Sequence, residues 1–201
     1  WAFFWGVSAG WRLSEEALIK NLNIFDDLKL RVSYGTVGNQ GGIDRYDGIQ
    51  LYNFNQNKGA LIGGEKISYI DTNGKLLSMD REWETIQNYN VGLDFGLFGN
   101  RLKGTAELFW KVCENMLIDV SYPATLGDKA PTANVGSFKA NGFEGNLNWS
   151  DKIGKVGYSI GGTFTYTTNI LTDNGGSATI TDGVRSDREG YPLNSVFGLK
   201  Y

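Results

Sequence analysis

The chain has 201 residues, is rich in aromatic residues (13%) and glycine (28 residues), and contains only 3 prolines. This composition favours strands and tight turns over helices, so we expect an all-β fold. The net charge of −3 and the absence of long basic runs exclude nucleic acid as a partner. Because the chain contains no histidine, Ser-His-Asp triads, Cys-His pairs and histidine-ligated zinc sites are excluded as well.

Alternation of apolar and polar residues predicts strands along most of the chain. Between the first two strands, Ser14 followed by residues 15–20 predicts a short helix with Ser14 as its N-cap. The predicted strands are residues 3–11, 28–34, 88–97, 102–112, 143–149, 156–167 and 196–201.

The predicted connections alternate between short and long. Residues 98–101 and 150–155 form short turns, whereas three long connections span residues 38–87, 119–142 and 171–195. A compact soluble domain rarely contains three such loops, but bacterial outer-membrane barrels combine short periplasmic turns with longer outward loops. The pattern therefore favours a transmembrane β-barrel in which the first strand runs inward and the directions alternate.

Two further features concern the membrane. The chain contains no run of 18 or more apolar residues, so no membrane-spanning helix is predicted. The strands of a membrane barrel alternate apolar and polar residues, and this criterion does not detect them. Several aromatic residues lie near predicted strand ends, where the girdles of a barrel would meet the bilayer interface. They are Trp5, Trp11, Tyr34, Tyr89, Phe98, Trp110, Trp149 and Tyr166.

Residues 83–102, WETIQNYNVGLDFGLFGNRL, resemble a signature of the SusC/RagA family of TonB-dependent transporters. Further runs resemble the family in the same order, at residues 8–16 and 28–40, at 134–136 with 142–144, and at 190–192 with 195–198. The residues that carry the resemblance, to which we assign structural roles, are Trp83, Glu84, Asn90, Gly92, Asp94, Phe95, Asn100, Arg101, Gly142 and Glu144.

The resemblance implies that residues 1–201 are a partial barrel domain of a bacterial outer-membrane nutrient transporter. We expect an antiparallel up-and-down meander of about seven strands from a plugged barrel of about 22 strands. The plug and the N-terminal region that contacts the TonB complex are not among these residues. The implied partners are outer-membrane lipids, a SusD-like surface lipoprotein, the TonB complex and an oligosaccharide or peptide substrate. We expect no catalysis, no metal and no cofactor.

Aromatic residues in the long outward loops are the candidate substrate-binding residues. Exposed rings can stack on sugar rings, although the same side chains can also pack within the loops or against the lipoprotein. The candidates are Tyr46, Tyr52, Phe54, Tyr69, Trp83 and Tyr122.

Several alternatives are open at this point. Residues 71–75, DTNGK, could form a calcium loop, although Asn-Gly also favours a hairpin turn. Glu84, Asp94, Glu107 and Glu144 could include a glycosidase pair, although solvated or ion-paired wall residues explain them better. At the level of the whole chain, the alternatives are a soluble β-sandwich that binds carbohydrate or acts as an adhesin, and a β-rich glycan-cleaving enzyme.

Overall fold

The computed structural model describes residues 2–43, 48–71, 81–119, 125, 132–176, 180–182 and 184–198. Strands dominate these residues, as the composition predicted. In chain order the elements are β1 (Gly6–Arg12), a 3-10 turn (Leu13–Glu15), α1 (Ala17–Lys20), β2 (Phe25–Asn39), β3 (Asn53–Ile62), β4 (Glu65–Asp71), β5 (Glu84–Leu97), β6 (Leu102–Asp119), β7 (Thr132–Ile153), β8 (Val156–Asn174), β9 (Ile180–Asp182), β10 (Arg185–Asp187) and β11 (Ser195–Val196).

Six long strands form one antiparallel sheet in the order β1-β2-β5-β6-β7-β8. Each strand pairs with the next long strand in the sequence, so the predicted up-and-down meander is confirmed. The β3–β4 hairpin interrupts the meander as a separate two-stranded sheet, and β9, β10 and β11 form a third sheet. In the part of the chain that the structure describes, the six-stranded sheet is open, with β1 and β8 at its edges.

Five of the six strands of the meander are longer than the alternation predicted, whereas β1, with seven residues, is shorter. β6, β7 and β8 have 18, 22 and 19 residues, because backbone pairing continues where the side-chain alternation ends. Pairing between β6 and β7 extends to Asp119 and Thr132 across irregularities near Met116. The predicted connection at 119–142 therefore shortens to residues 120–131, and the predicted turn at 150–155 shortens to Gly154 and Lys155.

The helix predicted after Ser14 forms differently. Ser14 lies inside the 3-10 turn, and Glu16 is the N-cap residue of α1, with an extended conformation (φ −72°, ψ 136°) and no capping bond from its side chain. The Glu16 carboxylate instead accepts a hydrogen bond of 2.9 Å from Trp11 Nε1. Since the extended residue interrupts the helical path, α1 contains only four residues and the predicted Ser14 cap is wrong.

The seventh predicted strand, residues 196–201, is described as far as Gly198. Within this segment Ser195 and Val196 pair with Ser186 and Arg185 of β10. Backbone hydrogen bonds of 2.9 Å join Leu171 of β8 to Gly190 and Tyr191. The segment after β10 therefore covers part of the β8 edge near its C-terminal end.

Candidate functional site

The two faces of the meander differ in polarity, and its register aligns residues of the same kind across the sheet. We call the face that carries Val91 the outer face and the opposite one the inner face. One row of the outer face runs across all six strands through Ala9, Val32, Val91, Leu108, Phe143 and Tyr166. Apolar outer-face side chains are widely exposed, for example Phe164 at 61% and Ile160 at 70%. Such a continuous apolar surface fits contact with lipid better than contact with water.

Aromatic residues border this surface at both ends. At the end near the long connections, the ring centroids of Trp5 and Tyr34 lie 5.1 Å apart and those of Tyr34 and Tyr89 lie 4.7 Å apart. We call this group, which Trp110 joins as the cross-strand partner of Tyr89, the upper girdle. Tyr166, predicted in a girdle, instead lies one row inside the apolar surface.

The lower girdle lies near the short turns. The ring centroids of Phe98 and Trp149 are 6.1 Å apart, and Trp149 Nε1 donates a hydrogen bond of 3.4 Å to the Tyr158 hydroxyl. Nine residues separate Tyr89 from Phe98, or roughly 30 Å along the strand at about 3.3 Å per residue. At a strand tilt of about 40° the girdles lie roughly 23 Å apart in height, close to the ~25 Å apolar band of membrane barrels.

The inner face carries an ion cluster centred on Arg31. Its Nε and Nη2 donate hydrogen bonds of 2.8 and 3.0 Å to Asp94, and Nη2 also lies 3.4 Å from Glu107 Oε2. Gly92 lies between these residues, and a Cβ atom there would be 2.9 Å from Arg31 Nη2. Arg31 was not singled out from the sequence, because only the strand register places it beside both carboxylates. Asp94 and Glu107 share one guanidinium, which fits the structural interpretation of these carboxylates; Glu144, opposite Glu107, is exposed.

Glu84 joins strands above the upper girdle and is only 8% exposed. Its Oε2 accepts a hydrogen bond of 2.6 Å from Asn39 Nδ2 of β2, and its Oε1 accepts one of 2.9 Å from the backbone N–H of Leu117 of β6. We call these three residues the Glu84 bridge. Beside it, Asn115 has a positive φ of 57°, and its carbonyl accepts a hydrogen bond from Asn134 of β7. The carboxylate thus holds three strands together where the ladder between β6 and β7 is irregular.

Cys113 lies close to the Glu84 bridge and is 3% exposed. Burial, with smaller contributions from Glu84 and Glu114, raises the pKa of the Cys113 thiol to about 11. A thiol that is buried and protonated at neutral pH is a poor nucleophile and a poor metal ligand. These properties agree with a structural role for the residue.

The remaining signature residues occupy tight structural positions. Asn90 donates a hydrogen bond of 3.3 Å to Ser33, and Asn100 adopts a positive φ of 62° in the turn before β6. Arg101 lies 3.4 Å from Asp151 across the two short turns. Gly142 faces the Phe109 ring, because a Cβ atom there would lie 2.4 Å from Phe109 Cζ.

Of the candidate substrate-binding aromatics in the described residues, Phe54 and Tyr69 do not share one face. Tyr46 and Tyr122 lie outside the described residues. Phe54 pairs with Ile70, whereas Tyr69 pairs with Asn55, so Phe54 and Tyr69 lie on opposite faces of the β3–β4 hairpin. Tyr52, just before β3, is 65% exposed.

The Trp83 ring packs on the Phe4 ring in a tilted arrangement, with centroids 5.9 Å apart. The suggested calcium loop largely falls on residues 72–80, outside the described residues. Within the described part of the chain, no group of acidic residues and Cys113 has the arrangement of a metal site, and no helix is long and apolar enough to span a membrane. Substrate contact by the four described aromatics therefore stays a prediction.

Comparison with known proteins gives relatives of one kind. A family model described as TonB dependent receptor-like, beta-barrel, matches residues 1–201. The TonB-dependent receptor SusC of Bacteroides thetaiotaomicron is 30% identical over 149 residues, which cover 74% of this chain and 15% of SusC. A TonB-dependent receptor of Formosa agariphila is 30% identical over 177 residues, covering 86% of this chain and 15% of the relative.

Solved structures give the same result. The RagAB peptide transporter superimposes with a TM-score of 0.80 at 27% identity, covering 97% of this chain and 21% of that one. The closed-closed state of the RagAB peptide importer gives a TM-score of 0.81 at the same identity and coverage. The chain therefore spans about a fifth or less of the length of these proteins. The register and the girdles agree with these matches, which show that the chain belongs to the TonB-dependent receptor β-barrel family, within its SusC/RagA-like group of bacterial outer-membrane proteins.

Proposed function

We propose that this chain is part of the wall of a transporter that imports nutrients across the outer membrane. The contrast between its two faces carries the proposal. The outer face is apolar between two aromatic girdles, whereas the inner face carries the Arg31 ion cluster and side chains such as Asn90. A wall that separates lipid from a water-containing lumen needs this distribution. Members of the family are receptors and transporters, and we assign no catalytic step to the chain.

We propose oligosaccharides or peptides as the substrates. The structural relative RagAB is described as a peptide transporter, which supports peptides. Exposed aromatic side chains at Tyr52 and Trp83 support oligosaccharides, because sugar rings stack on such surfaces. Both classes of cargo are hydrophilic and therefore suit a polar inner face.

We propose two protein partners for the complete transporter. A SusD-like surface lipoprotein would cover the outward loops, and the TonB complex would supply energy through the N-terminal region. The extension of β6, β7 and β8 beyond the upper girdle supports the first partner, since it places their connections clear of the bilayer. Neither partner is expected to bind the outer face between the girdles, where lipid competes.

Uptake by the full-length protein in its own outer membrane tests the proposal. We expect cells that express it to accumulate a fluorescent oligosaccharide or a fluorescent peptide, and to lose that uptake when the gene for TonB is deleted. Accumulation that persists without TonB, or recovery of the protein in the aqueous fraction without detergent, would contradict the proposal.

Variants of the loop aromatics test the substrate contacts separately. We expect Tyr52→Ala combined with Trp83→Ala to raise the substrate concentration for half-maximal uptake severalfold, because stacking surfaces are lost. Leu18→Ala is the matched control, since Leu18 is 85% exposed and lies in α1 on the side of the short turns. Equal half-maximal concentrations for the double variant and the control would remove these aromatics from the binding site.

A further inference from the structure

Lys111 is an exposed cation on the inner face, at the height of the upper girdle. The register places it opposite Asn88 of β5 and Ala140 of β7, and Gly35 lies on the far side of Asn88. Trp110, which directly precedes Lys111, points to the outer face as part of the girdle. The neighbours of Lys111 along its row are thus small or uncharged, and they leave its ammonium group open to the inner side of the wall.

The Lys111 ammonium group has no acidic partner among the residues that the structure describes. Its Nζ lies over the Phe109 ring, 5.3 Å from the ring centroid. That ring in turn packs on Gly142, where a Cβ atom would collide with it. A cation–π contact orients an ammonium group without neutralising it. The positive charge is therefore held in place and left uncompensated.

The nearest acidic residues of the inner face are distant or engaged elsewhere. Glu107 and Glu144 face each other four residues below the Lys111 row, roughly 13 Å away at about 3.3 Å per residue. Glu107 lies 3.4 Å from Arg31, and both oxygens of Glu84, four residues above the row, accept hydrogen bonds in the Glu84 bridge. The Debye length is about 8 Å at physiological ionic strength, so charges at such distances interact weakly through water.

Two other cations of the inner face show the contrast. Arg31 donates hydrogen bonds to Asp94, and Lys29 lies directly opposite the same carboxylate. Their charges are balanced within the wall, whereas the charge of Lys111 is not. Lys111 also lies nearer to the outward connections, so cargo that enters from outside meets it before the Arg31 ion cluster.

On the transport function proposed above, we propose that Lys111 binds a carboxylate group of the imported cargo, with the Asn88 amide as a second donor. The Asn88 side chain has no hydrogen-bond partner within the described part of the chain, and it lies directly opposite Lys111. An ammonium group offers a point charge with three donors, and an amide N–H adds one directed hydrogen bond. Carboxylates occur at the C-terminus of a peptide and on the uronic acids of an oligosaccharide, so both proposed classes of cargo can carry one.

Uptake by cells that express the full-length transporter tests the proposal with matched pairs of probes. The pairs are pentaalanine as the free acid and as the C-terminal amide, and trigalacturonate and its methyl ester, each with the same uncharged fluorophore. In at least one pair we expect half-maximal uptake of the acid at a concentration about fivefold below that of the neutral form, as for an exposed ion pair. Lys111→Gln should remove this preference, and Lys111→Arg should keep most of it because the charge remains. The pair that responds identifies the source of the carboxylate.

Lys139→Gln is the matched control, because Lys139 lies at nearly the same height but on the outer face, opposite Val112. It should keep the preference for the acid. Lys111→Gln could instead shift both members of each pair equally, which would show a structural role and overturn the carboxylate site. TonB-dependent uptake with no preference in the original protein would overturn the site and leave transport intact. Absence of TonB-dependent uptake for every probe, the neutral ones included, would overturn the proposed function as well.

Discussion

The same six strands behave differently below and above the upper girdle. Below it, the inner face carries Arg31 and Asp94, and the outer face carries exposed apolar side chains. Above it, the inner face becomes apolar, and the outer face gains polar residues. The row that makes this change on the inner face runs through Val37, Ile86, Cys113, Phe138 and Leu171.

The reversal indicates a change of surroundings along one continuous sheet. Between the girdles, the proposed membrane placement has lipid outside and polar groups toward the lumen. Above them, Cys113 and Leu171 are 3% and 2% exposed, so protein covers the inner face at these two positions, whereas Val37 in the same row is 54% exposed. On the outer face, Gln87 donates a hydrogen bond of 2.9 Å to Glu114, a contact suited to water. The strands therefore stay paired along the whole sheet, while the polarity of each face changes with its surroundings.

The largest effect is expected from a charge on the lipid-facing side. Phe164 lies at mid-height between the girdles, and an arginine at the middle of a barrel wall costs about 2–4 kcal/mol. We expect Phe164→Arg to lower the stability of the full-length protein by that amount, measured by guanidinium unfolding in the presence of lipid. Thr165→Arg should have little effect, because Thr165 lies on the inner face opposite Glu144. Equal effects would contradict the assignment of the faces.

A smaller effect is expected from removing the Glu84 bridge above the girdle. Glu84→Ala leaves Asn39 and the Leu117 N–H without their acceptor, which should cost about 2–3 kcal/mol. The same unfolding measurement applies, with Glu82→Ala as the control because the Glu82 side chain is exposed. If both variants unfold at the same guanidinium concentration, the bridge does not hold the upper sheet together.

The smallest effect on the fold is expected from alkylation of Cys113. Its rate reports whether the inner face is covered at this position. With its pKa raised to about 11 by burial, the thiolate fraction at pH 8 is about 0.001. We expect iodoacetamide to react about a hundredfold more slowly than with an exposed control, Val184→Cys in a Cys113→Ser background. The Cys113 rate should rise about tenfold per pH unit up to pH 10, whereas the control should level off near pH 9. A rate equal to that of the control would show that the inner face is open there.

Local patterns predicted the meander well, because alternation and turn residues are properties of short segments. The predicted turn at residues 98–101 is confirmed, and the predicted strand at residues 88–97 lies within β5, which spans Glu84–Leu97. The helix after Ser14 was predicted incorrectly, since Glu16 bonds to Trp11 instead of continuing the helical path. The long extensions of β6 and β7 were also missed, because pairing there does not depend on alternation.

By itself the sequence determined the class of fold, the order of the six strands of the meander and the resemblance carried by residues 83–102. These follow from periodicity and from short-range motifs. Only the tertiary structure decided that Arg31 contacts both Asp94 and Glu107 and that Glu84 of β5 bridges β2 and β6. Such features depend on strand register, which brings together residues that are far apart in the chain and that no local pattern connects.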